Sequence, residues 1–291
     1  MEEEIIKKID MLSLRMIEDI KTIVKMPSVE GTFQQGAPFG KDIALTLDKV
    51  LEIAQSLGFE TKNLDHYIGY AQYGKGEDYI GIIGHLDVVP TGLGWKHPPF
   101  SAYEEDGYIY SRGILDNKGP IMTCLYALYA IKELNIKLHK PVRIIFGCDE
   151  ETGFKDLEYY LKHEKSKLVF SVTFSYPANM TLETIVETIR EKAKNMEVTC
   201  VQHYFPVKFE KDCPMVSLLS KAYEKITHLD GTPVTTTGGT YAKLMPHIVP
   251  FGPSFPGQKG IGHQPNEWMK IEDLNTNAKI YALGIYYLGM L

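Results

Sequence analysis

His85-Leu86-Asp87 follows the apolar run Tyr79-Ile80-Gly81-Ile82-Ile83-Gly84 and precedes Val88-Val89-Pro90. Further along come Asp116 in GILDNKGP, the pair Glu150-Glu151 in GCDEETG, and His263 in GIGHQPNE. Two imidazoles, a lone carboxylate on a glycine-flanked turn and adjacent glutamates are the groups that zinc-assisted hydrolysis needs. Each sits where an apolar, strand-like run ends, so the set is expected to converge on one edge of a sheet.

In a His-x-Asp motif, the aspartate can accept the imidazole N–H not used for metal and so fix tautomer and ring orientation. Standing alone, the motif is met more often as a hydrogen-bonded, half-buried histidine, which is also the plain reading of His66, His139 and His163. Asp116, with glycines on either side, can bring its two oxygens to two cations, although Asp-Asn beside glycine is also an everyday turn. Glu150 and Glu151 would repel at a strand end unless a cation or shared proton compensates them. That favours one glutamate on metal and the other as general base, the alternative being a solvated pair on a loop. His263 lies in KGIGHQPNE, where Gly260 and Gly262 let a ligand arrive from late in the chain. TTTGGTYAK, with Gly238 and Gly239, could offer backbone N–H groups to an anion, but matches neither Walker nor dinucleotide spacing.

The elements that must carry these groups follow from periodicity. Ile5, Ile6, Ile9, Leu12, Met16, Ile20, Ile23 and Val24 recur at helical spacing, and that helix should stop near Met26-Pro27. A second helix is predicted over 41–57, ending at Gly58, with strands at 69–73, 79–84, 108–110 and 142–147 and helices at 119–134 and 155–163. Alternating strands and helices make this an α/β protein. Residues 166–208 read as strand-helix-strand, a unit too small to stand alone. A helix at 214–227, a strand near 248–252 and a helix over 271–290 complete the chain.

With 291 residues, 44% of them hydrophobic, the chain is long enough for one large domain or two. The net charge of -6 and the scattered basic residues argue against a nucleic-acid partner. No apolar stretch approaches the ~18 residues that cross a bilayer, and the N-terminal segment mixes charge with apolar residues throughout. The four cysteines Cys124, Cys148, Cys200 and Cys213 form no C-x-x-C pair and fit thiols in a reducing compartment. A cytoplasmic protein without membrane attachment is expected.

Taken together and in order, GHLDVVPTGLGWKHPPF, SRGILDNKGPIMTCLYAL, GCDEETGFKDLEYYL, TGGTYAKLMPHIVPFG and FPGQKGIGHQPNEWMKIEDL closely resemble the peptidase V type of bacterial dipeptidase. Those enzymes belong to the co-catalytic zinc metallopeptidase family that includes carnosinase and aminoacylase. The resemblance implies a zinc-peptidase catalytic domain, a mixed sheet covered by helices, over 1–168 plus 209–291. Residues 169–208 would be an α+β lid remnant. It implies His85 as ligand of one zinc with Asp87 orienting it, and Asp116 as the bridging carboxylate before a cis peptide into Asn117. Glu150 would be the general base, and Glu151 and His263 ligands of the other zinc. Gly238, Gly239, Thr240 and Tyr241 would help hold the substrate's C-terminal end. The implied reaction is hydrolysis of dipeptides or short peptides, with zinc as cofactor and cobalt or manganese as substitutes.

This sequence departs from that pattern in three ways. The block that supplies a further aspartate ligand to the first zinc, and most of the lid with its oxyanion-stabilising histidine, have no counterpart between YYLKHEKSKL and VFSVTFSYP. Ser175 stands where an arginine usually precedes Tyr-Pro, and Lys243 where an arginine usually follows Thr-Tyr-Ala, keeping charge but losing the guanidinium fork. Expected consequences are one tight zinc site, impaired turnover and a possible homodimer through 169–208. The rival expectation is a lidless remnant, natural or engineered, that binds metal or peptide without turnover.

Overall fold

Val142–Gly147, with its β-branched apolar run, is buried along its whole length and forms the central strand of the larger sheet. The computed structural model describes residues 1–76, 78–164, 183, 187, 209, 212–234, 240–244, 248–252 and 255–291. In chain order the elements are α1 (Glu2–Val24), α2 (Lys41–Ser56), β1 (Glu60–Leu64), β2 (Ile68–Tyr73), β3 (Ile80–His85), β4 (Tyr103–Glu105), β5 (Tyr108–Tyr110) and α3 (Lys118–Glu133). They continue as β6 (Val142–Gly147), α4 (Lys155–His163), α5 (Pro214–Thr227), a 3-10 turn at Tyr241–Lys243, β7 (Trp268–Lys270) and α6 (Ile271–Gly289).

The larger sheet runs β1-β2-β6-β3 and is mixed: β6 is antiparallel to β2 and parallel to β3. Gly69, Phe146 and Gly84 lie in one lateral row of that sheet. A Cβ on Gly69 would press on Leu47 and Leu51 of α2, and one on Gly84 would press on Ile121 of α3, so both helices cover this face. The missing side chains thus let the helices sit close to the strands. Behind α3 lie α1 and α6, which complete the helical layer. On the opposite face α4 brings Tyr160 against Tyr70. The apolar stripe of α1, including Ile5, Ile9, Met16, Ile20 and Ile23, is fully enclosed, as the helical spacing predicts.

Three short strands, β4, β5 and β7, form a second sheet in the order β4-β5-β7. Its central Ile109 pairs with Met269, and both are buried. The ends of α2 and α6 follow elementary rules. Gly58 takes φ 77 just beyond α2, the left-handed position that favours glycine, and Glu272 and Asp273 lie in the first turn of α6.

The helices and strands predicted within 1–164 form at the expected places, but β1, β4 and β7 are short, largely polar or mixed segments that periodicity does not reveal. The strand expected near 248–252 is absent, and these residues are irregular. Pro250 has no backbone N–H to give to a ladder and Gly252 no side chain to pack. The strand-helix-strand expected over 166–208 lies outside the described residues, and with it Ser175 and the proposed dimer surface. The chain divides into two compact units, one of 1–166, 218–231 and 252–291, the other of 167–217 and 232–251. Among the described residues no helix is long and apolar enough to cross a membrane.

Candidate metal centre

All six of the residues expected to form the centre fall in the first unit. β3 delivers His85 at its last position. Gly84 before it has a structural reason to be glycine: a Cβ there would collide with Asn117 Oδ1, which instead accepts the backbone N–H of His85 at 3.2 Å. Asp116 sits in the turn between β5 and α3, and its peptide bond to Asn117 is cis. The parallel neighbour β6 ends at Gly147, placing Glu150 and Glu151 just past the same sheet end as His85. His263 reaches the group from the loop before β7, with φ 62.

His85 Nε2 lies 3.1 Å from Asp116 Oδ1, and His263 Nε2 lies 3.1 Å from Asp116 Oδ2. Each oxygen of Asp116 therefore faces a different imidazole, the disposition a bridging carboxylate requires. His263 Nε2 is also 3.0 Å from Glu151 Oε1, and Glu150 Oε2 is 4.0 Å from His85 Nε2. Candidate ligand atoms of His85, Asp116 and Glu151 all lie within 4.8 Å of one another.

Behind the imidazole, His85 Nδ1 is 2.9 Å from the backbone carbonyl of Asp87 and 3.5 Å from its carboxylate Oδ1. The carbonyl, rather than the carboxylate expected from the sequence, makes the shorter contact. Asp87 Oδ2 accepts the backbone N–H of Glu151 at 3.0 Å, so this buried carboxylate supports both neighbours.

The electrostatics call for positive charge. Burial works against an ionised Asp116, yet hydrogen bonds from His263 and His85 hold its carboxyl well below the usual carboxylate range. Burial also opposes protonation of His85, but Asp116 and Asp87 outweigh it and raise its pKa well above that of ordinary imidazole. The hydrogen bond to Asp116, with Glu151 assisting, lifts His263 to about 9. Glu150 is pushed up to about 7, chiefly by burial and then by the like charges around it. Asp87 Oδ1 is buried without a hydrogen bond, and the buried Glu151 Oε1 has the His263 imidazole at 3.0 Å beside it. Carboxylates crowded in this way, with a buried oxygen left over, fit a cation better than they fit one another.

The model for peptidase family M20/M25/M40 matches residues 81–286. The chain belongs to this family. Among relatives of this chain, the putative dipeptidase YtjP of Bacillus subtilis is 43% identical over 166 residues, covering 56% of this chain and 35% of that protein. The Beta-Ala-Xaa dipeptidase of Lactobacillus delbrueckii subsp. lactis is 38% identical over 166 residues with the same shares. The chain thus spans about a third of the length of the curated relatives it matches. Human carnosine dipeptidase 1 shares the fold, with a TM-score of 0.72 at 13% identity over 100% of both chains. Bacillus subtilis YxeP, described as a dinuclear metal binding peptidase, has a TM-score of 0.62 at 13% identity, covering 97% of this chain and 100% of that one.

Of the expected substrate-binding residues, Gly238 and Gly239 lie outside the described residues. Thr240 and Tyr241 belong to the second unit, where the Thr240 hydroxyl accepts the backbone N–H of Ala242 and opens the 3-10 turn. Sequence reasoning did not single out Asn117, Arg112 or Glu267. Asn117 was named only as the partner in a cis peptide. Arg112 and Glu267 lie inside the quoted blocks SRGILDNKGP and GHQPNE, but nothing in their spacing shows that they meet.

Proposed function

We propose that this chain carries a metal-dependent peptidase centre that hydrolyses dipeptides or other short peptides. The observation that carries the reading is the convergence of His85, Glu151 and His263 on the two oxygens of Asp116, with Glu150 alongside. In this reading His85 and Asp116 would hold one zinc ion, and Asp116, Glu151 and His263 another. The second set has the three protein ligands usual for a catalytic zinc, so it is the tight site. Cobalt or manganese would substitute. A zinc ion there would supply Lewis acidity to polarise the scissile carbonyl and would acidify water.

The chain's own residues do the rest. Glu150 accepts a proton from the attacking water and later gives it to the leaving amine, a role suited to a carboxylate set apart from the ligands in a largely buried place. Asp87 holds His85 and the Glu151 backbone in position. Gly238, Gly239, Thr240 and Tyr241 are proposed to hold the substrate's C-terminal end. The names of the curated relatives support dipeptides as the substrate class. A cytoplasmic location fits the unpaired Cys124, Cys148 and Cys213.

The test is a panel of unmodified dipeptides incubated with purified chain and zinc, cobalt or manganese, with free amino acid as the readout. Slow, metal-dependent release that disappears in Glu150→Ala is expected. Failure of all three metals to give turnover, or turnover that survives Glu150→Ala, would overturn the reading in favour of a non-catalytic binder.

A further inference from the structure

A second charged cluster lies beneath the candidate centre and is not part of it. Arg112 and Glu267 are each about 1% exposed and pair through Nη1 and Oε2 at 2.7 Å. Burying such a pair is costly unless the remaining donors and acceptors are used. Here Arg112 Nε stays buried without a partner, while the other donors and the second carboxylate oxygen reach the backbone of the ligand-bearing loops. Glu267 Oε1 accepts the N–H of Leu115 at 2.8 Å and that of Asp116 at 3.1 Å. Arg112 Nη2 donates to the carbonyls of His263 and Thr91, each at 3.3 Å, and Nη1 donates to that of Gln264 at 3.3 Å.

The pair therefore bonds directly to the peptide groups of two candidate ligands, Asp116 and His263, and to the stretch that follows His85 and Asp87. The loops themselves are poorly suited to hold this spacing. His263 adopts a positive φ, which costs a non-glycine residue energy, and its side chain is nearly half exposed. From this geometry we infer that Arg112 and Glu267 are positioning residues: a buried tether that sets the separation of Asp116 and His263 and so the width of the metal centre. The inference rests on the proposed metal-binding function for its consequence, but the tether itself is a property of the protein without metal.

Arg112→Lys keeps the charge but cannot serve Glu267 and several carbonyls at once. Glu267→Gln keeps an acceptor for the two N–H groups while removing the charge from the pair. Val50→Ala, on the buried face of α2, serves as a stability control, because it opens a cavity without removing any hydrogen bond of the tether.

Two measurements are made on each protein: zinc affinity by competition with a chromogenic chelator, and amide hydrogen exchange of the metal-free protein. Both tether variants are expected to weaken zinc binding by about tenfold or more, the range seen when groups supporting metal ligands are removed. They are also expected to speed exchange in 113–117 and 261–264 while leaving α3 and α6 protected. Val50→Ala is expected to lower stability and leave zinc affinity unchanged. Tether variants with wild-type zinc affinity, or a loss matched by Val50→Ala at equal destabilisation, would overturn the inference. A wild-type chain that binds no zinc would defeat the proposed function instead. The exchange data would then decide the tether, and unchanged exchange in both segments would refute it.

Discussion

Asp87 and Glu151 are joined directly: the Glu151 backbone N–H donates to Asp87 Oδ2 at 3.0 Å. With Asp87 also behind His85, one buried residue braces a side chain from the end of β3 and a loop from the end of β6. Asp87→Ala should therefore weaken zinc binding by about 10–100-fold, as expected when the partner of a ligating imidazole is lost. Chelator competition checks this, and unchanged affinity would show that the His85 ring is held by the Asp87 carbonyl alone.

Glu150 and Glu151 are adjacent but are predicted to behave differently. Glu150→Gln should leave zinc binding unchanged and reduce dipeptide hydrolysis by about 10²–10⁴-fold, the loss typical of a general base. Isothermal titration with zinc beside a turnover assay separates the two effects. A variant that loses zinc along with activity would place Glu150 among the ligands.

Gly84→Ala is a test of local packing. A Cβ at this position meets Asn117 Oδ1 and two atoms of Ile121, so either Asn117 or α3 must shift. Destabilisation of about 1–3 kcal/mol is expected, typical of overpacking in a filled interior. Urea denaturation measures it. Tolerance without loss would mean that Asn117 is free to move away from the His85 backbone.

Much of this was legible in the sequence, for reasons that differ by element. α1 and the buried β6 run announce themselves because one pattern of apolar residues serves both local geometry and burial. The candidate ligands were legible as residue types, but only His85 and Glu151 lie at or just past strand ends; Asp116 and His263 come from a turn and a loop, and all four still meet in space. β4 and β7 were not legible, since their sequences, Tyr-Glu-Glu and Trp-Met-Lys, lack the β-type run Tyr-Ile-Tyr that marks β5, and they form by pairing with it. Arg112 and Glu267 escaped because a charged residue carries no sign of burial until its distant partner is known. The expected strand near 248–252 failed because a short apolar run was read without weighing Pro250.

Acid sensitivity offers a check on the opposite face of the sheet. Burial alone would raise the Glu164 carboxyl, but hydrogen bonds from Lys62 and Arg143, at 2.6 and 2.9 Å, hold it below its ordinary value of 4.5. A carboxyl with a depressed folded-state pKa contributes stability that is present above 4.5 and is lost as pH falls through the folded value. Wild type should thus lose stability more steeply than Glu164→Gln below that pH. Urea midpoints measured from neutral pH downward compare the two, and parallel curves would remove Glu164 from the acid response.

The central claim is that Asp116, Glu151 and His263 form a tight metal site, and metal analysis of the dialysed, zinc-loaded protein tests it most directly. About one zinc ion should remain per wild-type chain, since this set offers the three protein ligands usual for catalytic zinc. Almost none should remain in Glu151→Ala or His263→Ala of equal foldedness. Wild-type protein that retains no zinc, or variants that retain as much as wild type, would contradict the account.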